Sequence, residues 1–349
     1  MTIKITAIVF DKPNSVELRE LELERCGADE ILAETIYSFV SPGTELRVLR
    51  GHQPDPQYPL IPGYSWVGRV LEVGKDVEGW EVGELVSGRN PMPVSGIVSR
   101  WGGQASHHRC STTDTIVKLP QDADPWDYVH AEVAAISYRG VTAANPMATE
   151  TAVVIGQGMI GLFNAKWLLM RGAKVVVLDI EQYRLAPARK WGVAAALDAR
   201  DPDVRAKTLA HCPDGADLVF ESSSSLEAAK MAGTLLRKPF AQTMRTSYRG
   251  PLCNSPSSWP RLVFQATYHN KTMEMPPPGL LTGIEGALVI QPFDRSVADR
   301  MDVVELIRQG HLPISDVLSG PTQLEDAPGA YLELQNNPSH VRGLAIKWK

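Results

Sequence analysis

Cysteine is scarce in this chain. Cys26, Cys110, Cys212 and Cys253 are the only four in 349 residues, and no two form a C-x-x-C pair. That spacing leaves no disulfide framework and suits a reducing cytoplasm. Long apolar runs are also missing. None reaches the roughly 18 residues of a membrane span, so no membrane partner is expected. The N-terminal MTIKITAIVF has no signal-peptide layout and reads as a first strand. There is no basic block, and the net charge of −5 argues against nucleic acid. Repeats and low-complexity tracts are absent. What remains is a soluble globular chain long enough for two domains.

Against that plain background one stretch stands out, TAVVIGQGMIGLFNAKWLLMRGAKVVVLD over Thr151–Asp179. A short apolar run, Ala152–Ile155, leads into Gly156, Gly158 and Gly161, which fit G-x-G-x-x-G. Leu162, Ala165, Leu168 and Leu169 then follow helical spacing, and Arg171-Gly172 supplies a stop. A second apolar run, Ala173–Leu178, ends on Asp179. Each part has a physical job. Gly156 allows the tight turn, Gly158 leaves room for a pyrophosphate, and Gly161 lets helix and strand pack closely. Met159 and Ile160 offer N–H groups at a helix N-terminus, where phosphate is favoured. Asp179 stands about 20 residues on, where a carboxylate bonds ribose hydroxyls and repels a 2′-phosphate. NAD is therefore expected in preference to NADP. Arg184 lies near enough to stack on adenine or reach a phosphate. Ser222 opens a serine run after a later strand.

Before this stretch, strands are expected over Ile3–Phe10, Ser15–Leu23, Glu30–Val40, Ser65–Val73 and Leu85–Ser87. Pro13-Asn14, Pro42-Gly43, Pro62-Gly63 and Gly102-Gly103 punctuate them as turns. A helix is expected over Asp122–Gly140. After Asp179 the pattern alternates: helix Glu181–Trp191, strand Ala194–Leu197, helix Val204–Ala210, strand Ala216–Glu221, helix Leu226–Leu236. Such a rhythm implies a parallel sheet covered on both faces. Thr246–Pro278 reads as a long loop with one strand-like piece, Arg261–Tyr268. Ala287–Gln291 reads as a strand, Asp299–Gln309 and Leu324–Leu334 as helices, and Val341–Ile346 as a last strand.

The order of these motifs resembles the medium-chain dehydrogenase/reductase (alcohol dehydrogenase) superfamily. The resemblance is carried by Ser41-Pro42-Gly43-Thr44-Glu45, Pro59–Val67, Val73-Gly74, Gly79–Gly83, Gly156–Gly161 and Leu324–Ala327. It implies an α/β protein with a GroES-like β-rich catalytic domain, residues 1–132 and 292–349. A Rossmann domain with a doubly wound parallel sheet, residues 133–291, would bind NAD with Ser222 beside the adenosine, and the active site would lie in the cleft between the two. Homodimers or homotetramers joined through Rossmann sheet edges are implied as well, with Ala287–Gln291 as such an edge.

The departures from the family pattern matter more. Where zinc-dependent members carry their ligand cysteine, this chain has Pro42. Where they carry histidine and glutamate, it has Tyr64 and Ser65. Glu132 falls at a third-ligand position, and Asn90–Gln104 lacks the cysteines of the structural lobe. One carboxylate cannot hold a catalytic zinc, so a zinc-independent member is expected. The Ser-Pro-Gly-Thr-Glu and Pro-Gly-Tyr-Ser runs resemble the branch of bacteriochlorophyllide a dehydrogenase. Protein groups must then handle the alcohol proton. Thr44 matches the hydroxyl that passes it in metal-dependent relatives. Tyr64 is either an acid/base or filler for the metal's volume. Glu132 is a base, a partner of Tyr64, or the partner of an arginine. Glu45 is expected to pair with an arginine, and His107 and His108 to lie at the surface. Trp66, Trp101, Tyr268 and His269 are candidates for an aromatic wall.

The expected activity is hydride transfer between a secondary alcohol (a sugar, a cyclitol or a substituted ring) and NAD. Three alternatives stay open at this point. They are a quinone or enoyl reductase, an enzyme whose bound NAD drives a redox-neutral elimination or epimerisation, and a catalytically silent NAD-binding protein.

Overall fold

A computed structural model describes residues 2–53, 57–89, 91–113, 115–238, 259–266, 287–292, 296–337 and 343–349. In chain order the strands are β1 (Thr2–Val9), β2 (Glu17–Glu24), β3 (Glu30–Val40), β4 (Leu60–Ile61), β5 (Ser65–Val73), β6 (Leu85–Gly88), β7 (Val98–Ser99), β8 (His107–Ser111) and β9 (Ile116–Lys118). They continue as β10 (Thr151–Ile155), β11 (Lys174–Asp179), β12 (Ala195–Asp198), β13 (Leu218–Glu221), β14 (Arg261–Phe264), β15 (Leu288–Ile290), β16 (Thr322–Gln323) and β17 (Leu344–Lys347). The helices are α1 (Pro42–Leu49), α2 (Ala131–Ala144), α3 (Met159–Met170), α4 (Gln182–Lys190), α5 (Val204–Leu209), α6 (Leu226–Leu235), α7 (Val297–Arg308) and α8 (Ala327–Asn336). The chain divides into two compact units, Met1–Ala135 with Ser296–Lys349, and Ile136–Arg295.

The first unit is built on a seven-stranded sheet in the order β16-β17-β3-β5-β6-β9, with β8 also on β3. The last strand of the chain thus pairs with β3, antiparallel, and completes the unit. Ile8, Phe10, Val40, Leu46, Leu49, Tyr331 and Ile346 share one buried cluster, which seats α1 and α8 against these strands. The second unit is a six-stranded parallel sheet in the order β12-β11-β10-β13-β14-β15. That order is doubly wound, with its reversal between β10 and β13, where such sheets bind ligands. Val153, Val154, Val176, Val177, Leu218 and Val219 are fully buried. Strands covered on both faces need such continuous apolar runs.

Several expectations are corrected. Pro42-Gly43 is not turn punctuation but the start of α1, with Pro42 in its first turn and Ser41 as N-cap. Proline at the first helical position loses no hydrogen bond and has the right φ. The helix expected over Asp122–Gly140 splits into a 3-10 turn, Pro125–Tyr128, and α2. Asp124 caps the former by accepting from the Trp126 N–H. The strand expected over Arg261–Tyr268 ends at Phe264. Tyr268, His269 and most of Thr246–Pro278 lie outside the described residues. His108 is 2% exposed, not a surface residue, and its ring stacks on Trp66 with centroids 4.4 Å apart. Trp66 itself is fully buried, so it is a core residue rather than a wall for substrate.

Candidate functional site

In the second unit the site is the turn from β10 into α3. Gly156 leaves the strand with φ +87°, a value that favours glycine. Its N–H donates to the Leu178 carbonyl at 2.8 Å, tying the turn to the end of β11. A Cβ on Gly161 would lie 1.7 Å from the Gly156 carbonyl oxygen, so only glycine lets α3 start this close to the strand. Gly158 differs. Its backbone is extended, and a Cβ there would meet no protein atom within 4 Å. Its lack of a side chain serves no packing need within the described residues. Met159 and Ile160 open α3, where N–H groups have no acceptor inside the helix. The Ile160 carbonyl accepts from the Ser137 hydroxyl at 3.2 Å.

Asp179 ends β11 and is buried. Its two oxygens accept from the Gln157 N–H at 2.5 Å and the Glu181 N–H at 2.8 Å. The carboxylate is thereby fixed against the glycine turn. Arg184, on α4, lies over the neighbouring Tyr183 ring at 5.6 Å. Ser222 follows β13. Its N–H donates to the Ile155 carbonyl at 2.9 Å, and its hydroxyl accepts from the Asn164 amide at 3.0 Å. The glycine turn, Asp179 and Ser222 therefore come together at the C-terminal ends of the central strands β10, β11 and β13, with Arg184 on the adjoining helix.

In the first unit the site residues converge on Ser41. The Tyr64 hydroxyl, almost wholly buried, donates to the Ser41 hydroxyl at 2.7 Å. Thr44 lies in the first turn of α1, its N–H on the Ser41 carbonyl at 3.1 Å. Trp101 packs edge-on against Tyr64, with centroids 5.9 Å apart. Its φ of +67° is unusual for a side chain of that size.

Glu45 does not follow its expected role as an arginine partner. It is completely buried, and its oxygens accept from the Ser41 N–H at 2.7 Å, the Tyr331 hydroxyl at 2.6 Å and the Gln104 amide at 3.3 Å. The chain of bonds continues through Gln104 to Ser38 at 2.6 Å and on to the Trp348 indole at 2.8 Å. Burial outweighs these donors and lifts the Glu45 pKa to about 7. The arginine partner belongs instead to Glu132. Arg300 lies 2.8 Å from its carboxylate, with both side chains buried, and also donates to the Ser87 and Thr115 carbonyls. Of the roles left open for Glu132, the ion pair with an arginine is the one seen in the structure.

Sequence reasoning gave no role to Ser41 and missed Gln104, Arg300 and Glu221, the last at the C-terminal end of β13. Only Glu221 gave a local signal, as a charged residue closing the apolar run Leu218–Phe220.

Residues 27–121 match the family described as alcohol dehydrogenase GroES-like domain, and residues 160–239 the family described as zinc-binding dehydrogenase. The sorbitol dehydrogenase of Halalkalibacterium halodurans is 25% identical over 234 residues, which span 61% of this chain and 67% of that one. A short chain alcohol dehydrogenase of Escherichia coli CFT073, solved in complex with NADH, superposes with a TM-score of 0.81 at 18% identity, covering 99% of each chain. A protein of Sinorhizobium meliloti 1021 solved with NADP gives 0.79 at 18% identity, again covering 99% of each. At that identity the two structures establish shared fold: a GroES-like unit and a Rossmann unit.

Proposed function

We propose that this chain, which belongs to the medium-chain dehydrogenase/reductase superfamily, oxidises a secondary hydroxyl of a polyol or hydroxylated ring with NAD and without zinc. Relatives named as sorbitol, arabitol-phosphate and alcohol dehydrogenases support an alcohol oxidoreductase acting on a small molecule. The finer reading rests on one observation above the others, the Asp179 carboxylate clamped by two backbone N–H groups beside the glycine turn. Gly156, Gly158 and Gly161 would shape the turn for a pyrophosphate, and the Met159 and Ile160 N–H groups would bind it. Ser222 and Arg184 would flank the adenosine half. NAD, when bound, accepts the hydride from the carbinol carbon.

A fixed carboxylate accepts bonds from two ribose hydroxyls and repels a phosphate in their place. Asp179→Ser is expected to lower the NAD/NADP preference by about a hundredfold, read as the ratio of kcat/KM for the two coenzymes. An unchanged ratio would place the selective acid elsewhere.

The residues present do not fit a catalytic zinc. Pro42 offers no donor, Tyr64 and Ser65 are engaged as phenol and hydroxyl, and Glu132 is held by Arg300. Among the described residues no three His, Cys, Asp or Glu side chains cluster as a metal site. Proton handling then falls to Thr44, Tyr64 and Ser41. The Tyr64 phenol donates to Ser41, so its oxygen keeps lone pairs for an alcohol proton; in the relay Tyr64 would take that proton as it hands its own to Ser41, and Ser41 would release its hydroxyl proton to solvent water. Tyr64→Phe is expected to reduce kcat by about a hundredfold or more with little change in KM. Thr44→Val is the control for the alternative donor. Full turnover in both variants would remove this hydroxyl pair from the mechanism.

A further inference from the structure

Glu221 is the last residue of β13, the strand that neighbours β10 across the reversal in strand order. Its side chain is buried. One carboxylate oxygen accepts from the Ser223 N–H at 2.8 Å and from the Ser223 hydroxyl. The other is buried and has no hydrogen-bond partner among the described residues. Glu221 pairs with Ile155, the residue before the glycine turn, and a Cβ on Gly156 would lie 2.9 Å from Ser223. The serine turn that holds Glu221 is thus the wall against which the glycine turn rests.

We propose that Glu221 sets the preference between oxidised and reduced coenzyme, acting through its charge rather than by contact. The inference rests on the coenzyme site proposed above. In a doubly wound sheet the dinucleotide crosses the strand reversal. With the adenosine half on the Asp179 side, over β10 to β12 and against Ser222, the nicotinamide half would extend past β13. Glu221 closes β13 at the crossing itself. The two coenzymes carry the same pyrophosphate and riboses and differ at the ring, which is a cation when oxidised and neutral when reduced. A buried carboxylate at that crossing attracts the cation only when ionised.

Burial pushes the Glu221 pKa up to about 7, against the bonds from the serine turn that favour its ionised form. The charge therefore changes near neutrality. Among the described residues, the other charges on the packed elements are paired or remote. On α6, Glu227 and Lys230 pair with each other. On α3, Lys166 lies over Trp191. On β11, Asp179 is held by backbone N–H groups, and on β14, Arg261 pairs with Glu150 at the strand's other end. As pH rises through 7, NAD+ should gain over NADH. By linkage, NAD+ binding should expel a proton from Glu221 and NADH binding should expel less.

The test titrates NAD+ and NADH onto the intact protein by calorimetry at pH 6 and pH 8. For the wild type, Kd(NADH)/Kd(NAD+) is expected to rise about fivefold across that range. In Glu221→Gln, which is isosteric and neutral, the ratio should be flat. A ratio that is flat in the wild type, or that rises equally in E221Q, overturns the proposal. If E221Q does not fold, the wild type alone decides through proton exchange, measured at pH 7 in two buffers of different ionisation enthalpy. More protons released with NAD+ than with NADH supports the proposal, and equal release overturns it. Failure of either coenzyme to bind at any pH would remove the coenzyme site itself, and this inference with it.

Discussion

Gly158→Val is expected to fold with an unchanged melting temperature and yet lose coenzyme. At this position the backbone has φ −62° and ψ −176°, which any residue adopts. No protein atom lies within 4 Å of the added Cβ. A branched side chain would fill only the space over the first turn of α3, where a pyrophosphate would approach the N–H groups. The expected loss in NAD affinity is about a hundredfold or more, some 2.7 kcal/mol. Gly161→Ala is the contrasting variant. Its Cβ would fall 1.7 Å from the Gly156 carbonyl, so turn and helix must separate. That variant should lose several degrees of thermal stability along with coenzyme. Two glycines three residues apart would thus fail in different ways. Normal NAD binding by Gly158→Val would mean that no phosphate passes that point.

The second large effect concerns Glu45 and stability. Its folded pKa of about 7 lies above the value of 4.5 typical of a free glutamate. A group raised in this way favours the fold while protonated. Its contribution is complete below pH 4.5, falls as pH rises, and is gone above 7. Across that interval the loss amounts to about 3 kcal/mol. Glu45→Gln carries no proton to lose. The unfolding free energy of E45Q minus that of the wild type should therefore rise by about 2.5 kcal/mol between pH 5 and pH 8, measured by denaturant titration. Burial lowers the pKa of His108 to about 3 and of His130 to about 4, which gives these groups the opposite sign. They lose stability as pH falls below the usual histidine range. Both remain in the two proteins and cancel in the difference. A difference that does not change with pH would mean that Glu45 stays ionised throughout.

The second unit was largely legible from its residues because its determinants are local. Apolar runs, the Gly156–Gly161 turn and the terminal Asp179 sit within one continuous stretch. The strand pairing they imply follows from the limited ways a βαβ unit can fold. The first unit was less so. Its central polar network joins Ser38, Glu45, Gln104, Tyr331 and Trp348. These residues are brought together by pairing of β17 with β3, a contact between opposite ends of the chain that no local pattern announces. The error at Pro42-Gly43 has a local cause. Proline followed by glycine reads equally as a turn or as a helix start, and the choice depends on whether the next residues can bury a face. Leu46, Val48 and Leu49 do so here. Glu45 was misassigned because its donors Gln104 and Tyr331 come from distant parts of the chain, so nothing local shows that neutral donors and burial satisfy it. The resemblance located Thr44 and Tyr64 but not Ser41, which links them.

The central claim is that this chain moves a hydride to NAD with its own hydroxyls handling the proton. The most direct measurement follows NADH formation from a panel of polyols and cyclic secondary alcohols, using protein dialysed against EDTA and assayed for metal by elemental analysis. Turnover unchanged by chelation, with far less than one zinc per chain, is the result this account requires. Stoichiometric zinc whose removal abolishes turnover and whose return restores it would contradict the account.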